Sequence, residues 1–347
     1  MVIHARSQAS LVGVMPDYLA TQLLHTQCIP LIVGSTCTGK TALGIAFAQW
    51  LKQSGVDVVI LSADSRLVYQ GLTIGTAKPS EEEQQGIVHE GIDLVSPTCP
   101  FTAQDYATWA TERLAHYHRT QTIPIFVGGT GFYLQSALCD SLIPPVKPDD
   151  TLRQKLHQEA LTPEGRTSQW ERLCQYDPLR ASQLHPNDTL RVVRALEVIQ
   201  TTGKCVPQRD TLTTAYRYPT HWFNLYVSER AALWQRIETR TQTMLCHGWL
   251  EEVEGLVQQY GATAHALGVT HGYPELMAVL AGKLTLLEAQ DRINIQVRQY
   301  AKRQQAWFKR LKPHEADILD YESSSELLAW YIHSLATTLN LPGRYEG

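Results

Sequence analysis

The residues with the plainest chemical meaning form one short run, Gly34-Ser35-Thr36-Cys37-Thr38-Gly39-Lys40-Thr41, a G-x-x-x-x-G-K-T pattern. Between a strand and a helix, such a run closes into a tight loop whose backbone N–H groups face a phosphate or diphosphate. Lys40 adds a mobile positive charge, and the Thr41 hydroxyl is of the kind that ligates Mg²⁺. The plain alternative is a glycine-rich turn with a solvated lysine, which the apolar run before it and the helical spacing after it disfavour. The pattern names a ligand class and leaves the reaction open.

Two further runs narrow the chemistry. Ser62-Ala63-Asp64-Ser65-Arg66-Leu67-Val68-Tyr69-Gln70 follows an apolar stretch and leads into Gly75-Thr76-Ala77-Lys78-Pro79. Ligands of parallel sheets sit beyond the carboxyl ends of the strands, which puts Asp64 and Ser65 at the mouth beside the phosphate loop. An aspartate in that place holds Mg²⁺ through water, acts as a general base, or caps a turn. Val127-Gly128-Gly129-Thr130-Gly131-Phe132-Tyr133-Leu134 follows another apolar stretch. It is a weak signal alone, since strand-to-helix turns often use glycine, but its position turns Thr130 toward the same site.

These loops require a particular scaffold. Ile29 to Gly34, Val56 to Leu61 and Pro124 to Val127 read as short buried strands. Helical spacing runs through Thr41 to Gln53 and Thr102 to Tyr117. Strands alternating with helices predict an α/β fold, a P-loop NTPase-like parallel sheet covered on both faces. From Leu142 the alternation stops at Ile143-Pro144-Pro145-Val146-Lys147-Pro148, and residues 149–205 read as amphipathic helices without strands. Trp222 to Val227 resumes as a strand, followed by one long helix from about Glu229 to Gln259. The expected organisation is an extension over 1–28 with a short helix around Asp17 to Leu24, and a core over 29–141 plus 221–311. An all-helical insertion over 142–220 interrupts that core, and a tail spans 312–347.

Composition sets the remaining bounds. The chain has 347 residues, 44% apolar and 18% charged, with a net charge of -4, so any nucleic acid must be held by local basic patches. Its seven cysteines are scattered singly, which argues against a disulfide framework or a zinc module. No apolar run approaches the roughly 18–20 residues of a membrane span. The first 28 residues contain Pro16 and Asp17 and lack the pattern of a secretory signal. A cytoplasmic, monomeric protein is expected. The best local patch is Arg298 to Lys312, with Arg298, Lys302, Arg303, Lys309, Arg310 and Lys312, no acid, and Tyr300, Trp307 and Phe308 interleaved. About half of those aromatics are expected to be core.

Taken together, the runs resemble the tRNA dimethylallyltransferase family, whose members prenylate an adenosine of the tRNA anticodon loop. The resemblance extends from Ile29 to Leu311. Besides the phosphate loop it rests on D-S-R-L-V-Y (Asp64 to Tyr69), G-T-A-K-P (Gly75 to Pro79) and G-G-T-G-F-Y-L (Gly128 to Leu134). It also rests on H-P-N-D-T-L-R-V-V-R-A-L-E-V (His185 to Val198) with Thr202-Gly203-Lys204, on R-I-E-T-R (Arg236 to Arg240), and on Arg298-Gln-Tyr-Ala-Lys-Arg-Gln304-x-x-Trp307-Phe308.

The resemblance implies that Gly34 to Thr41 hold the diphosphate of dimethylallyl diphosphate rather than ATP, with Mg²⁺ at Thr41 as cofactor and Lys40 at the departing charge. It implies that Asp64 takes the proton from N6 of an adenosine next to the anticodon, position 37, and that Thr130 contacts the same nucleotide. Ser65, Arg66, Leu67, Arg153, Leu190, Arg191, Val192, Val193, Arg194, Arg298, Lys302 and Arg303 match positions that touch the tRNA anticodon stem-loop. Arg236 and Arg240, four apart on one helix face, approach either the diphosphate or an RNA phosphate. A solvated helix face is the plain alternative for these two, and a charged surface helix for Arg153.

The chain departs from the family pattern at Ser35 and at Cys37-Thr38. Pro274 stands where a basic residue is usual, and Val297 where Thr is usual. No C-x-x-C…H-x-H finger follows Cys246, as in the bacterial form of the family. A small-molecule kinase is the rival enzyme, a GTPase is disfavoured because no N-K-x-D element follows, and a tRNA-binding protein without turnover is the non-enzymatic rival.

Overall fold

In the strand β1 (Ile29–Gly34), all six residues are buried, as a strand covered on both faces requires. The computed structural model describes residues 15–139, 149–205, 215–311 and 313–341. The chain divides into two units, one of Met1–Leu138 with Tyr218–Gly347 and one of Cys139–Arg217. The proline-rich run from Ile143 to Pro148 and Lys312 lie outside the described residues.

The larger unit begins with α1 (Pro16–Thr26), β1, α2 (Lys40–Lys52), β2 (Val58–Ser62), α3 (Glu81–Gln84), β3 (Val88–Glu90), α4 (Ala103–Arg119), β4 (Ile123–Gly128) and α5 (Gly131–Leu138). The smaller unit supplies α6 (Asp150–Glu159), α7 (Pro163–Tyr176), α8 (Pro178–Ser182) and α9 (Thr189–Thr202). The larger unit resumes with β5 (Thr220–Tyr226), α10 (Arg230–Cys246), α11 (Trp249–Tyr260), α12 (His265–Val269), α13 (Tyr273–Leu280), α14 (Leu286–Lys309), β6 (His314–Asp317) and α15 (Ser324–Thr338).

The six strands form one sheet in the order β3-β2-β4-β1-β5-β6, and every pairing is parallel. Ile32, Ile60, Ile125 and Phe223 point to the face covered by α1, α2 and α15, where Leu19, Phe47 and Tyr331 complete the core. The Phe47 and Tyr331 rings meet edge to face with centroids 4.7 Å apart. Leu31, Val33, Val59 and Leu61 alternate to the other face and are equally buried. The consequence for function is positional. β2, β4 and β1 are neighbours, so the three runs that follow them emerge side by side at one edge of the sheet.

Three expectations change. In the described parts of the extension and tail, α1, β6 and α15 pack into the main core rather than standing off it. The single long helix after β5 is two, α10 and α11, separated at Gly248 with φ 95, a conformation that glycine alone adopts readily. The edge strand β3 was not foreseen, since its three residues, Val-His-Glu, carry no apolar pattern.

Candidate active site

The phosphate loop turns from β1 into α2 through three residues with positive φ, namely Gly34 (146), Cys37 (64) and Gly39 (82). A Cβ on Gly34 would lie 2.2 Å from the Leu225 carbonyl oxygen of the adjoining strand, so glycine is required there. Ser35 and Thr38 are buried, and the Thr38 hydroxyl donates to the Ser35 carbonyl at 2.9 Å. These two side chains build the loop, and what they offer an anion is the backbone. Lys40 Nζ donates to the Ser35 carbonyl at 2.5 Å. Burial and the neighbouring Arg240 charge pull its pKa down to about 8, while Asp64 pulls the other way. Arg236 Nε donates to the Cys37 carbonyl at 2.8 Å, and Arg240 reaches the Thr36 hydroxyl at 3.4 Å. The two arginines of α10 therefore sit on the loop itself, which decides against a purely solvated face.

Asp64 follows β2. Its Oδ1 accepts the Arg66 N–H at 2.8 Å, so one oxygen does cap the turn, and its carboxylate lines the same cavity as Lys40 and Thr41. Thr130 follows β4 and is held twice. Its N–H donates to the Ala63 carbonyl at 3.0 Å, and its hydroxyl accepts the Ser65 N–H at 3.1 Å. Residues on either side of Asp64 are thus tied to Thr130. Burial and the Asp64 charge push the Tyr300 phenol up to about 12, opposed by its hydrogen bond to Thr130, so it stays a neutral donor over the working range.

The cavity, about 160 Å³, is lined by the polar Thr36, Lys40, Thr41, Asp64, Arg66 and Arg240 and by the apolar Ile60, Val127, Ile237, Met244, Ile293 and Val297. That pairing suits a ligand with an anionic head and a small hydrocarbon tail. Val297 makes the wall apolar where the usual hydroxyl is absent. Pro274 occupies the first turn of α13, where its missing N–H costs nothing.

Several site residues were not foreseen. Glu252 accepts the N–H groups of Thr73 (2.9 Å), Ile74 (2.6 Å) and Gly75 (3.2 Å) together with the Tyr273 hydroxyl (2.7 Å), which fixes the turn leading to the G-T-A-K-P run. A Cβ on Gly75 would lie 2.0 Å from Trp249 Nε1. Lys78 of that run pairs with Asp93 at 2.5 Å. The glycines of the turns and the acid of E-E-V-E were visible, but nothing local in the sequence joined them.

On α14, Ala301, Gln304 and Phe308 are buried, while Lys302, Arg303, Lys309 and Arg310 are exposed. Arg303 and Arg310 stack over the Tyr300 and Trp307 rings at 5.9 and 4.9 Å. Arg298 departs from this pattern, because it is ion-paired with Glu238 and lies 4.7 Å over the Trp234 ring.

Within the smaller unit, Leu190 and Arg191 are exposed, whereas Val192 and Val193 are 1% and 2% exposed and belong to its core. α9 turns these two side chains inward at helical spacing, so any RNA contact at Val192 and Val193 would fall to their backbone. Arg153 and Arg194 both pair with the buried Glu197 carboxylate, at 3.0 and 2.8 Å. Their first role is to neutralise it.

Among the described residues, no group of three or more His, Cys, Asp or Glu is arranged to hold a metal. No helix there is long and apolar enough to cross a membrane.

Residues 67–311 match the family model described as IPP transferase. The chain is 42% identical to the tRNA dimethylallyltransferase of Thermosynechococcus vestitus over 278 residues, 80% of this chain and 85% of that protein. It is 40% identical to that of Geobacter metallireducens over 285 residues, 81% of this chain and 89% of that protein. Its fold is similar to the tRNA delta(2)-isopentenylpyrophosphate transferase of Staphylococcus epidermidis, with a TM-score of 0.64, 32% identity, and 89% and 99% of the two chains covered. It is also similar to a eukaryotic dimethylallyltransferase acting on tRNA, with a TM-score of 0.72, 27% identity, and 92% and 81% covered. With its phosphate loop and Asp64 around one cavity and Thr130 tied to the Asp64 loop, the chain belongs to the IPP transferase family, the prenyltransferases that include the tRNA dimethylallyltransferases.

Proposed function

We propose that this enzyme moves a dimethylallyl group from dimethylallyl diphosphate to N6 of adenosine 37, beside the anticodon of a tRNA. The observation that carries the reading is the shared cavity, which the phosphate loop, one carboxylate and a set of apolar side chains all line. N6 attacks C1 of the allyl group, the C1–O bond breaks, and its electron pair leaves with diphosphate. The N6 proton passes to the Asp64 carboxylate. Lys40, Arg240, Arg236 and the phosphate-loop amides other than that of Thr36, which Gln304 holds, stabilise the departing negative charge, the effect that dominates such a barrier. The adenine must leave its stack to enter the cavity, at a cost of a few kcal/mol.

Thr41 and Asp64 present hard oxygen donors on the same cavity. That set suits Mg²⁺ shared with substrate phosphates rather than a protein-only cage. Bound there, Mg²⁺ would neutralise charge on the leaving diphosphate. Arg191 on the smaller unit and, in the larger unit, Lys302 and Arg303 on α14 are exposed and would each hold RNA phosphates, with the exposed Leu190 beside Arg191 offering an apolar contact. Arg153 and Arg194 would add to that surface while holding Glu197. The enzyme would act as a cytoplasmic monomer. Incubation with unmodified tRNA, Mg²⁺ and labelled dimethylallyl diphosphate, followed by nucleoside mass spectrometry, tests the reading. Label on adenosine supports it, and intact donor after prolonged incubation refutes it.

A further inference from the structure

Gln304 lies in the buried face of α14, 5% exposed, and its carboxamide joins two loops. Oε1 accepts the Thr36 N–H of the phosphate loop at 2.9 Å. Nε2 donates to the Gly129 carbonyl at 3.0 Å. The partners dictate the orientation of the amide, because Thr36 offers only a donor and Gly129 only an acceptor. Of the side chains of this length, only a carboxamide meets both demands at once. Glutamate keeps the acceptor and loses the donor, and leucine has neither.

The opposing surface is cut to admit this group. A Cβ on Gly129 would lie 2.1 Å from Gln304 Nε2, and a Cβ on Gly131 would lie 2.1 Å from Trp307 Nε1. Gln304 and Trp307 are three apart on one helix face, so α14 docks into two glycine sockets on either side of Thr130. The turn is thereby fixed from one side by α14 and from the other by the Thr130 bonds to Ala63 and Ser65, which flank Asp64. Through Thr36 the same amide fixes the loop that carries Lys40.

We propose that Gln304 is a positioning residue that sets the leaving-group loop relative to the Asp64–Thr130 pair, and so controls the chemical step rather than the affinity for either substrate. The proposal rests on the reading above that diphosphate lies at the phosphate loop and adenine at Asp64. Misplacement of about 1 Å between reacting groups costs on the order of 100-fold in rate, and the Gln304 carboxamide is a direct hydrogen-bonded tie between the loops that follow β1 and β4.

The test compares wild type with Gln304→Leu and Gln304→Glu in single-turnover transfer at saturating tRNA and dimethylallyl diphosphate. Dissociation constants are measured in parallel for tRNA and for a thiolo analogue of the diphosphate that does not react. Gln304→Leu is expected to slow transfer about 10- to 100-fold while both dissociation constants stay within about threefold. Gln304→Glu keeps the Thr36 bond and loses the Gly129 bond, but it also places a carboxylate on the diphosphate cavity, so it is expected to transfer slowly and to bind diphosphate more weakly, its rate being read at donor saturation. Should Gln304→Leu fail to fold, Gln304→Met, uncharged and of similar length, takes its place and is expected to show the same slow transfer with both dissociation constants within about threefold. In the uncharged variant, a rate loss matched by lost diphosphate affinity would reduce Gln304 to a prop of one loop and overturn the proposal, as would unchanged transfer. Absence of transfer by the wild type counts against the underlying reaction instead, so the two failures are told apart.

Discussion

The Thr130 hydroxyl accepts the amide hydrogen of Ser65 at 3.1 Å, so the loop after one strand is tied to the loop after its neighbour at the residue following Asp64. Thr130→Ser keeps that bond and should retain near wild-type transfer. Thr130→Ala removes it, costs about 1 kcal/mol of stability, and lets the Asp64 loop shift. Single-turnover rates should fall about tenfold or more for alanine, with tRNA binding little changed. Equal rates for the two variants would show that the bond does not matter.

Asp64→Asn separates two roles for the carboxylate. If Asp64 takes the N6 proton, the amide keeps the shape and the Arg66 bond but not the basicity, and transfer should drop about 10²- to 10⁴-fold with both ligands still bound. If Asp64 chiefly holds Mg²⁺, diphosphate binding should weaken and recover partly as Mg²⁺ is raised. A Mg²⁺ series under single-turnover conditions distinguishes the two, and a wild-type rate throughout rules out both.

Lys40 makes diphosphate binding pH-dependent. Its pKa lies near 8, lowered chiefly by burial and next by Arg240, so its ammonium is charged below that pH and loses its proton above it. Affinity for diphosphate, measured by calorimetry without tRNA, should hold steady below pH 8 and fall above it. Arg240→Gln removes a positive neighbour and should move the inflection up. Asp64→Asn removes a negative one and should move it down. Shifts in the same direction for both variants would contradict this electrostatic account.

Local pattern made the phosphate loop, Asp64 and Thr130 legible before the structure, because each lies where an apolar strand ends in a glycine or small polar turn. Contacts across long stretches of chain were not legible. Thr36 meets Gln304 across 268 positions, and Thr73 meets Glu252 across 179; no periodicity encodes such pairs. β6 escaped notice because His-Glu-Ala-Asp is polar outside its two buried residues, and the tail's burial follows from α15 covering Phe47. Val192 and Val193 fall within a matched motif, yet helical spacing marks their side chains as core.

Glu252 should matter to stability more than its half-buried carboxylate suggests. Glu252→Ala leaves three turn amides and the Tyr273 hydroxyl without their acceptor, a loss on the order of 2–3 kcal/mol given the part exposure of the turn. Chemical denaturation should report that loss, and transfer should fall as well because Gly75 lines the cavity. A variant as stable as wild type would mean that water replaces the carboxylate.

The arginines of the smaller unit should divide by what their partners are. Arg191 is exposed, and its link to Asp188 at 3.3 Å is a surface pair worth little. Arg191→Glu should therefore leave stability nearly unchanged while weakening tRNA binding and lowering the salt slope, and Lys302→Glu on α14 should behave alike. Arg153 and Arg194 both serve Glu197, whose side chain is 1% exposed. Removing either leaves a buried carboxylate with half its compensation, although the partly exposed guanidinium sides admit water and soften the penalty to about 1–3 kcal/mol. Arg194→Ala should lower the denaturation midpoint first and tRNA affinity only in proportion to unfolding. Arg194→Ala with Glu197→Gln should recover much of the stability, since no buried charge then remains. If the double variant is no more stable than the single one, Glu197 is not what Arg194 supports; if Arg191→Glu binds tRNA with an unchanged salt slope, α9 does not face the RNA.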